Sequence, residues 1–78
     1  MKVLFKNISQ VNKFCKAASK YDGNITIGDG SVEVDGESII GIMAIGLHKV
    51  LEVKMSDKTS ASAIQFESEI AKLGIERS

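Results

Sequence analysis

The 78-residue chain has no proline, no tryptophan and a single cysteine, Cys15. One cysteine excludes an internal disulfide and a multi-cysteine zinc site, so no metal or cofactor is expected. An excess of one charge is missing too: ten Lys and Arg stand against ten Asp and Glu, and the formal net charge is zero. A nucleic-acid binder ordinarily carries a basic excess or stripe, because phosphate neutralisation dominates its affinity. Along this chain the lysines are interspersed with acids, and three Phe and one Tyr are few for a base-stacking platform. No apolar run approaches the ~20 residues of a membrane-spanning helix. The opening Met1-Lys2-Val3-Leu4-Phe5-Lys6 is too short an apolar run for a signal peptide. The expectation is a cytoplasmic protein with neither a nucleic acid nor a membrane as partner. With no low-complexity run and no internal repeat, the whole of 1–78 reads as one domain.

What is present suits a small folded domain. A hydrophobic content of 44% supplies one layer of helices on one sheet and argues against disorder. At this length the net stability is roughly 4–12 kcal/mol, taking ~0.05–0.15 kcal/mol per residue.

Periodicity divides the chain into elements. Val3 to Phe5 reads as a short edge strand. Asn7 or Ser9 can cap a helix running to about Lys20, with Val11, Phe14, Cys15 and Ala18 on one face. Tyr21-Asp22-Gly23-Asn24 is turn chemistry, after which Ile25 and Ile27 alternate as in a half-buried strand. Gly28-Asp29-Gly30 reads as a hairpin turn, followed by a strand carrying Val32 and Val34. Ser38 is a natural N-cap for a helix from Ile39 to about Leu47. Leu51, Val53 and Met55 mark a fourth strand. Asp57 to Thr59 offers a cap for a last helix lined by Ala63, Phe66, Ile70 and Leu73 and stopped by Gly74. The order β-α-β-β-α-β-α predicts an α+β fold, a two-layer open-faced sandwich with helices on one face of an antiparallel sheet.

The stretch from Val34 to Leu47, Val-Asp-Gly-Glu-Ser-Ile-Ile-Gly-Ile-Met-Ala-Ile-Gly-Leu, resembles the second-helix signature of HPr, the phosphocarrier of the bacterial sugar phosphotransferase system. Lys13-Phe14-Cys15-Lys16-Ala17-Ala18 looks like that family's first helix, and Gly23-Asn24-Ile25-Thr26-Ile27 like its second strand. The resemblance implies the same fold, with sheet order 1-4-2-3. It also places the family's Gly-Leu-His-Ala-Arg-Pro-Ala segment, which carries the phosphorylated histidine, on the start of the first helix. There Asn7 stands at the histidine position, Ser9 at the arginine and Gln10 at the proline. An asparagine is no phosphoryl nucleophile of that type. The resemblance therefore points to a member that has lost phosphohistidine transfer, is not an enzyme, and works as a binding or regulatory module. A phosphocarrier using another residue and a small structural or assembly subunit are the alternatives.

Several residues are singled out by these readings. Ser38 aligns with the serine that receives a regulatory phosphate in some members, although Glu37 replaces the lysine that precedes it there. The second helix is apolar around most of its circumference. Ile39, Ile42 and Ile45 are expected to face the sheet, leaving Ile40, Met43 and Leu47 as a stripe for a protein partner or a self-dimer. His48, which follows Gly46-Leu47, is expected at the C-terminal end of that helix as a cap. Cys15 reads as a buried structural thiol, with a reactive thiol as the alternative. The acids Glu33, Asp35 and Glu37 read as a solvated face rather than a paired-carboxylate site.

Overall fold

Alternating strands and amphipathic helices form where the pattern places them. The computed structural model describes residues 1–77 as β1 (Lys2–Leu4), α1 (Ile8–Ser19), β2 (Ile25–Gly28), β3 (Glu33–Asp35), α2 (Ile39–Ile45), β4 (Val50–Met55), α3 (Ala61–Lys72) and β5 (Glu76–Arg77). The strands pair antiparallel in the order β3-β2-β4-β1-β5. The first four strands take the order 1-4-2-3 that the resemblance implies, and β5 is added outside β1. The Val3 to Phe5 segment is therefore not an edge. After Gly74 turns the chain at φ +73°, Ile75 is buried, which lays Glu76 and Arg77 alongside Leu4 and Val3.

All three helices lie on one face. Strand residues that point towards them, Val3, Ile27, Leu51 and Val53, are buried, and α1 adds Val11, Phe14, Cys15, Ala17 and Ala18. From α3 come Ala63, Phe66 and Ile70, with Leu73 partly buried against them. Phe14 lies between Phe5 and Phe66, its ring edge-on to each, with centroids at 5.3 and 5.5 Å. Tyr21 is buried with its hydroxyl satisfied twice at Asp57, accepting from the backbone N–H and donating to the carbonyl at 2.7 Å each. This tie holds the β4–α3 loop against the end of α1.

The helix termini differ in two places from the sequence reading. The cap of α3 is Ser60, whose Oγ accepts from Ala63 N–H at 3.1 Å, and not a residue of the Asp57–Thr59 segment. Asp57 instead accepts from the N–H and hydroxyl of Thr59, forming the turn before the cap and holding its carboxyl below the usual range. α2 is shorter than expected. It ends at Ile45 because Gly46 takes φ +120°, leaving Leu47 and His48 in the turn to β4. Close approach also shapes α2. A Cβ on Gly41 would lie 2.8 Å from Ser38 Oγ and 3.0 Å from Val34 Cβ, so glycine there lets the helix settle onto β3.

Candidate functional site

The start of α1 is built as a self-contained cap. Asn7 is extended (φ −159°, ψ 169°), and its Oδ1 accepts from the Gln10 N–H at 2.9 Å. The Gln10 side chain answers in the other direction, Oε1 accepting from Lys6 N–H at 2.8 Å and Nε2 donating to Gly74 O at 3.4 Å. This is a capping-box arrangement displaced by one residue, reciprocal between the cap and the third helical position. It settles the choice left open by the sequence: Asn7, not Ser9, is the cap. The role of Gln10 lies outside the sequence reading above, although an Asn-x-x-Gln spacing ahead of an apolar stripe is a legible signal.

The chemistry open to this end of the helix follows from its atoms. The amide nitrogen of Asn7 has its lone pair delocalised into the carbonyl, so it is no phosphoryl acceptor. Ser9 is exposed in the first turn and brings a neutral hydroxyl where a guanidinium would bring a full positive charge. A proline at residue 10 would have no N–H to give the Asn7 side chain. Asn7 and Gln10 thus work as a matched pair, each suited to the other as a cap.

His48, the one histidine of the chain, is not a cap on α2. It sits three residues beyond the last helical residue at φ +61°, exposed, with its backbone N–H donating to Phe5 O at 2.8 Å. Phe5 lies two residues before Asn7, so the turn carrying the imidazole is fastened to the β1–α1 loop. The expected helix-end position fails because Gly46 stops the helix two residues early.

Ser38 is the N-cap of α2, half-buried, its Oγ accepting from Gly41 N–H at 3.0 Å. Glu37 beside it is exposed, and its N–H donates to Asp35 Oδ1 at 2.8 Å. The two expected stripes of α2 do not separate cleanly. Ile42 is fully buried, yet Ile39 is 37% exposed and Ile45 only half-buried. On the other stripe Ile40 is 84% exposed, whereas Met43 and Leu47 are half-buried and pack against the core. A helix of seven residues makes two turns, so a seventh-residue partner to Ile40 falls outside it. The large apolar side chains that α2 turns to solvent are therefore Ile40 and Ile39.

Cys15 is buried, and burial above all pushes its thiol up to about 11, the negative charges of Glu37 and Asp35 adding to the effect. At neutral pH it is a protonated packing group. Among the acids, Glu33 and Asp35 are exposed on β3, and Glu33 is paired with Lys54 at 2.7 Å, which lowers its carboxyl. Asp29 accepts from the N–H groups of Ser31 and Val32 and the Ser31 hydroxyl, with Lys49 Nζ at 3.4 Å, and its carboxyl is held well below the usual range. Among the described residues, no group of three or more His, Cys, Asp or Glu could hold a metal ion, and no helix is long and apolar enough to cross a membrane.

A family model described as "PTS HPr component phosphorylation site" matches residues 9–73. No curated protein and no solved structure gives a significant match. The matched span takes in all three helices apart from the first residue of α1, and three of the four strands that make up the 1-4-2-3 sheet. On that breadth of match, the chain belongs to the HPr family of the phosphotransferase system.

Proposed function

We propose that this protein is an HPr-fold module of the sugar phosphotransferase system that does not relay a phosphoryl group and acts in the cytoplasm by being bound. The observation that carries the proposal is the 2.9 Å bond from Gln10 N–H to Asn7 Oδ1. It occupies a helix-end donor with the protein's own side chain, at the position where the resemblance puts the phosphorylated imidazole. A phosphoryl group there would need free N–H donors and a nearby cation. The Gln10 N–H is already taken by Asn7 Oδ1, and neither Ser9 nor Gln10 supplies a cation. Incubation with phosphoenolpyruvate, enzyme I and catalytic HPr is expected to give no acid-labile phosphoryl group. Stoichiometric labelling would overturn the proposal.

The binding role draws on α2. Ile40 is the most exposed large apolar residue of the chain, and burying it against a partner would remove apolar area from water at ~25 cal/mol per Å². Ile40→Glu is expected to leave the melting temperature within a few degrees, because the side chain touches little of the core, and to weaken association with a phosphotransferase-system partner. A large loss of thermal stability without loss of association would place Ile40 in the fold rather than at an interface.

A second reading has a specific observation behind it. His48 is exposed and its backbone is fastened to Phe5, next to the loop that leads into α1. A phosphocarrier built on His48 would label in the same assay, and His48→Ala would abolish the label.

A further inference from the structure

Counted over the whole chain, charge balances, but the fold sorts it. Every charged residue of α1 is a lysine, and Lys13 and Lys16 share a face with the cap residue Lys20 at the i, i+3, i+7 spacing. Across from them α3 presents Lys72 in its last turn. The four lysines rim an open groove of about 280 Å³ between the two helices, whose floor is Ala17 and Leu73. Its single acid is Glu69, and that carboxylate is already engaged by Lys20 at 3.4 Å across the groove. The lining thus carries three positive charges net in a protein whose total is zero.

We infer that the α1–α3 groove is a docking site for an acidic amphipathic helix of a protein partner. Charge complementarity selects the sign and spacing selects the shape. From Lys13 to Lys20 the row runs about 10 Å along α1, at ~1.5 Å per residue. A single phosphate spans only part of that length, whereas carboxylates at i, i+3 and i+7 on a facing helix match it turn for turn. The narrow apolar floor between the rims accepts an apolar side chain from the same face of such a helix, as in other helix-in-groove contacts. A lipid surface fits less well. The large exposed apolar residues Ile8, Val32, Ile39, Ile40, Val50 and Ile64 all lie outside the groove, so nothing there inserts into acyl chains. Nucleic acid fits less well too, since the lining holds no aromatic side chain and no arginine. This surface is separate from the exposed apolar residues of α2, and the inference does not depend on how α2 is used.

The test is a titration of isotope-labelled protein by NMR at about 0.15 M salt, where exposed charges are screened beyond ~8 Å. The probe is a synthetic amphipathic peptide of about four helical turns, with glutamates at the i, i+3, i+7 spacing flanking leucine. Amide shifts are expected at Lys13, Lys16, Ala17 and Leu73. Lys16→Glu combined with Lys72→Glu should weaken binding about tenfold or more, equivalent to ~1.4 kcal/mol or above, while the spectrum stays dispersed. Ile40→Glu should leave it unchanged. The inference fails if the peptide does not bind, if shifts map to another face, or if a glutamine version of the peptide binds equally well. It also fails if phosphatidylglycerol vesicles or a short DNA duplex bind more tightly than the peptide at the same salt.

Discussion

Phe14→Ala is expected to remove a large share of the stability of this protein. The side chain is fully buried, and its ring meets the edges of Phe5 and Phe66 at 5.3 and 5.5 Å, with interplanar angles of 75°. These three rings join the β1–α1 loop, α1 and α3, so one truncation loosens three parts of the fold. Large-to-small changes of this kind cost ~3–5 kcal/mol, the lost transfer energy plus the cavity left behind. A domain of this length has roughly 4–12 kcal/mol in total, at ~0.05–0.15 kcal/mol per residue. With ~4–8 °C of melting temperature per kcal/mol for a domain of this size, a drop of at least ~12 °C is expected by circular dichroism. Phe14→Leu keeps part of the volume and should fall between the two. A loss below ~1 kcal/mol would mean that the site collapses around the cavity far better than such cores usually do.

Phe14 was legible in the sequence because its neighbours in the i, i+3, i+4 pattern are apolar and the intervening residues are not. The same logic found Val11, Cys15 and Ala18 of α1, the buried positions of α3 and the alternation of β2 and β4, but not Ala17 of α1. Where the sequence reading failed, the reason is local length or distant contact. β5 has two residues, both charged, and no period to detect; it is a strand only through its pairing with β1, next to the buried Ile75. α2 is apolar nearly all round, so periodicity could not say which isoleucines turn inward. Its early stop at Gly46 then moved Leu47 and His48 off the helix. The row of lysines on α1 obeys the same spacing as the core stripe, yet a charge total over the chain conceals it. What that row faces, Lys72 and Leu73 of α3, is a tertiary fact beyond the reach of local pattern.

The candidate site divides in the same way. The Asn7 cap and its Gln10 partner are contained within four residues, and the pattern for them is written in the sequence. The bond from Gln10 Nε2 to Gly74 O joins positions far apart in the chain and is visible only once α3 has folded back against the start of α1. His48 illustrates the opposite error. Its Gly-Leu-His context mimics the opening of the family motif, and its residue type invites a catalytic reading. Its place follows from Gly46, which ends α2 at Ile45 and puts the imidazole in the turn to β4.

Asn7→His, finally, is expected not to restore phosphoryl transfer, and to fall short of a family phosphocarrier by at least about a hundredfold. Two effects act together. Asn7 Oδ1 now accepts from Gln10 N–H, and losing an asparagine cap costs ~0.5–2 kcal/mol, so the first turn frays where the imidazole needs to be held. The developing charge on the transferred group would also find a neutral hydroxyl at Ser9. Loss of one preorganised charge-stabilising donor typically lowers a rate by about 10²–10³, and misplacement of the acceptor by ~1 Å can take a further factor of similar size. Adding Ser9→Arg should recover part of the rate by returning a fixed cation beside the imidazole. Gln10→Pro in that background gives up no N–H that residue 7 still needs, but it loses the Gln10 side-chain bonds to Lys6 N–H and Gly74 O, so a further fall in melting temperature is expected. The measurement is label transfer from phosphorylated enzyme I to the single, double and triple variants, with melting curves alongside to separate fraying from chemistry. A single variant that transfers at the rate of an ordinary HPr would mean that the surrounding site is intact, and that the asparagine alone keeps this chain silent.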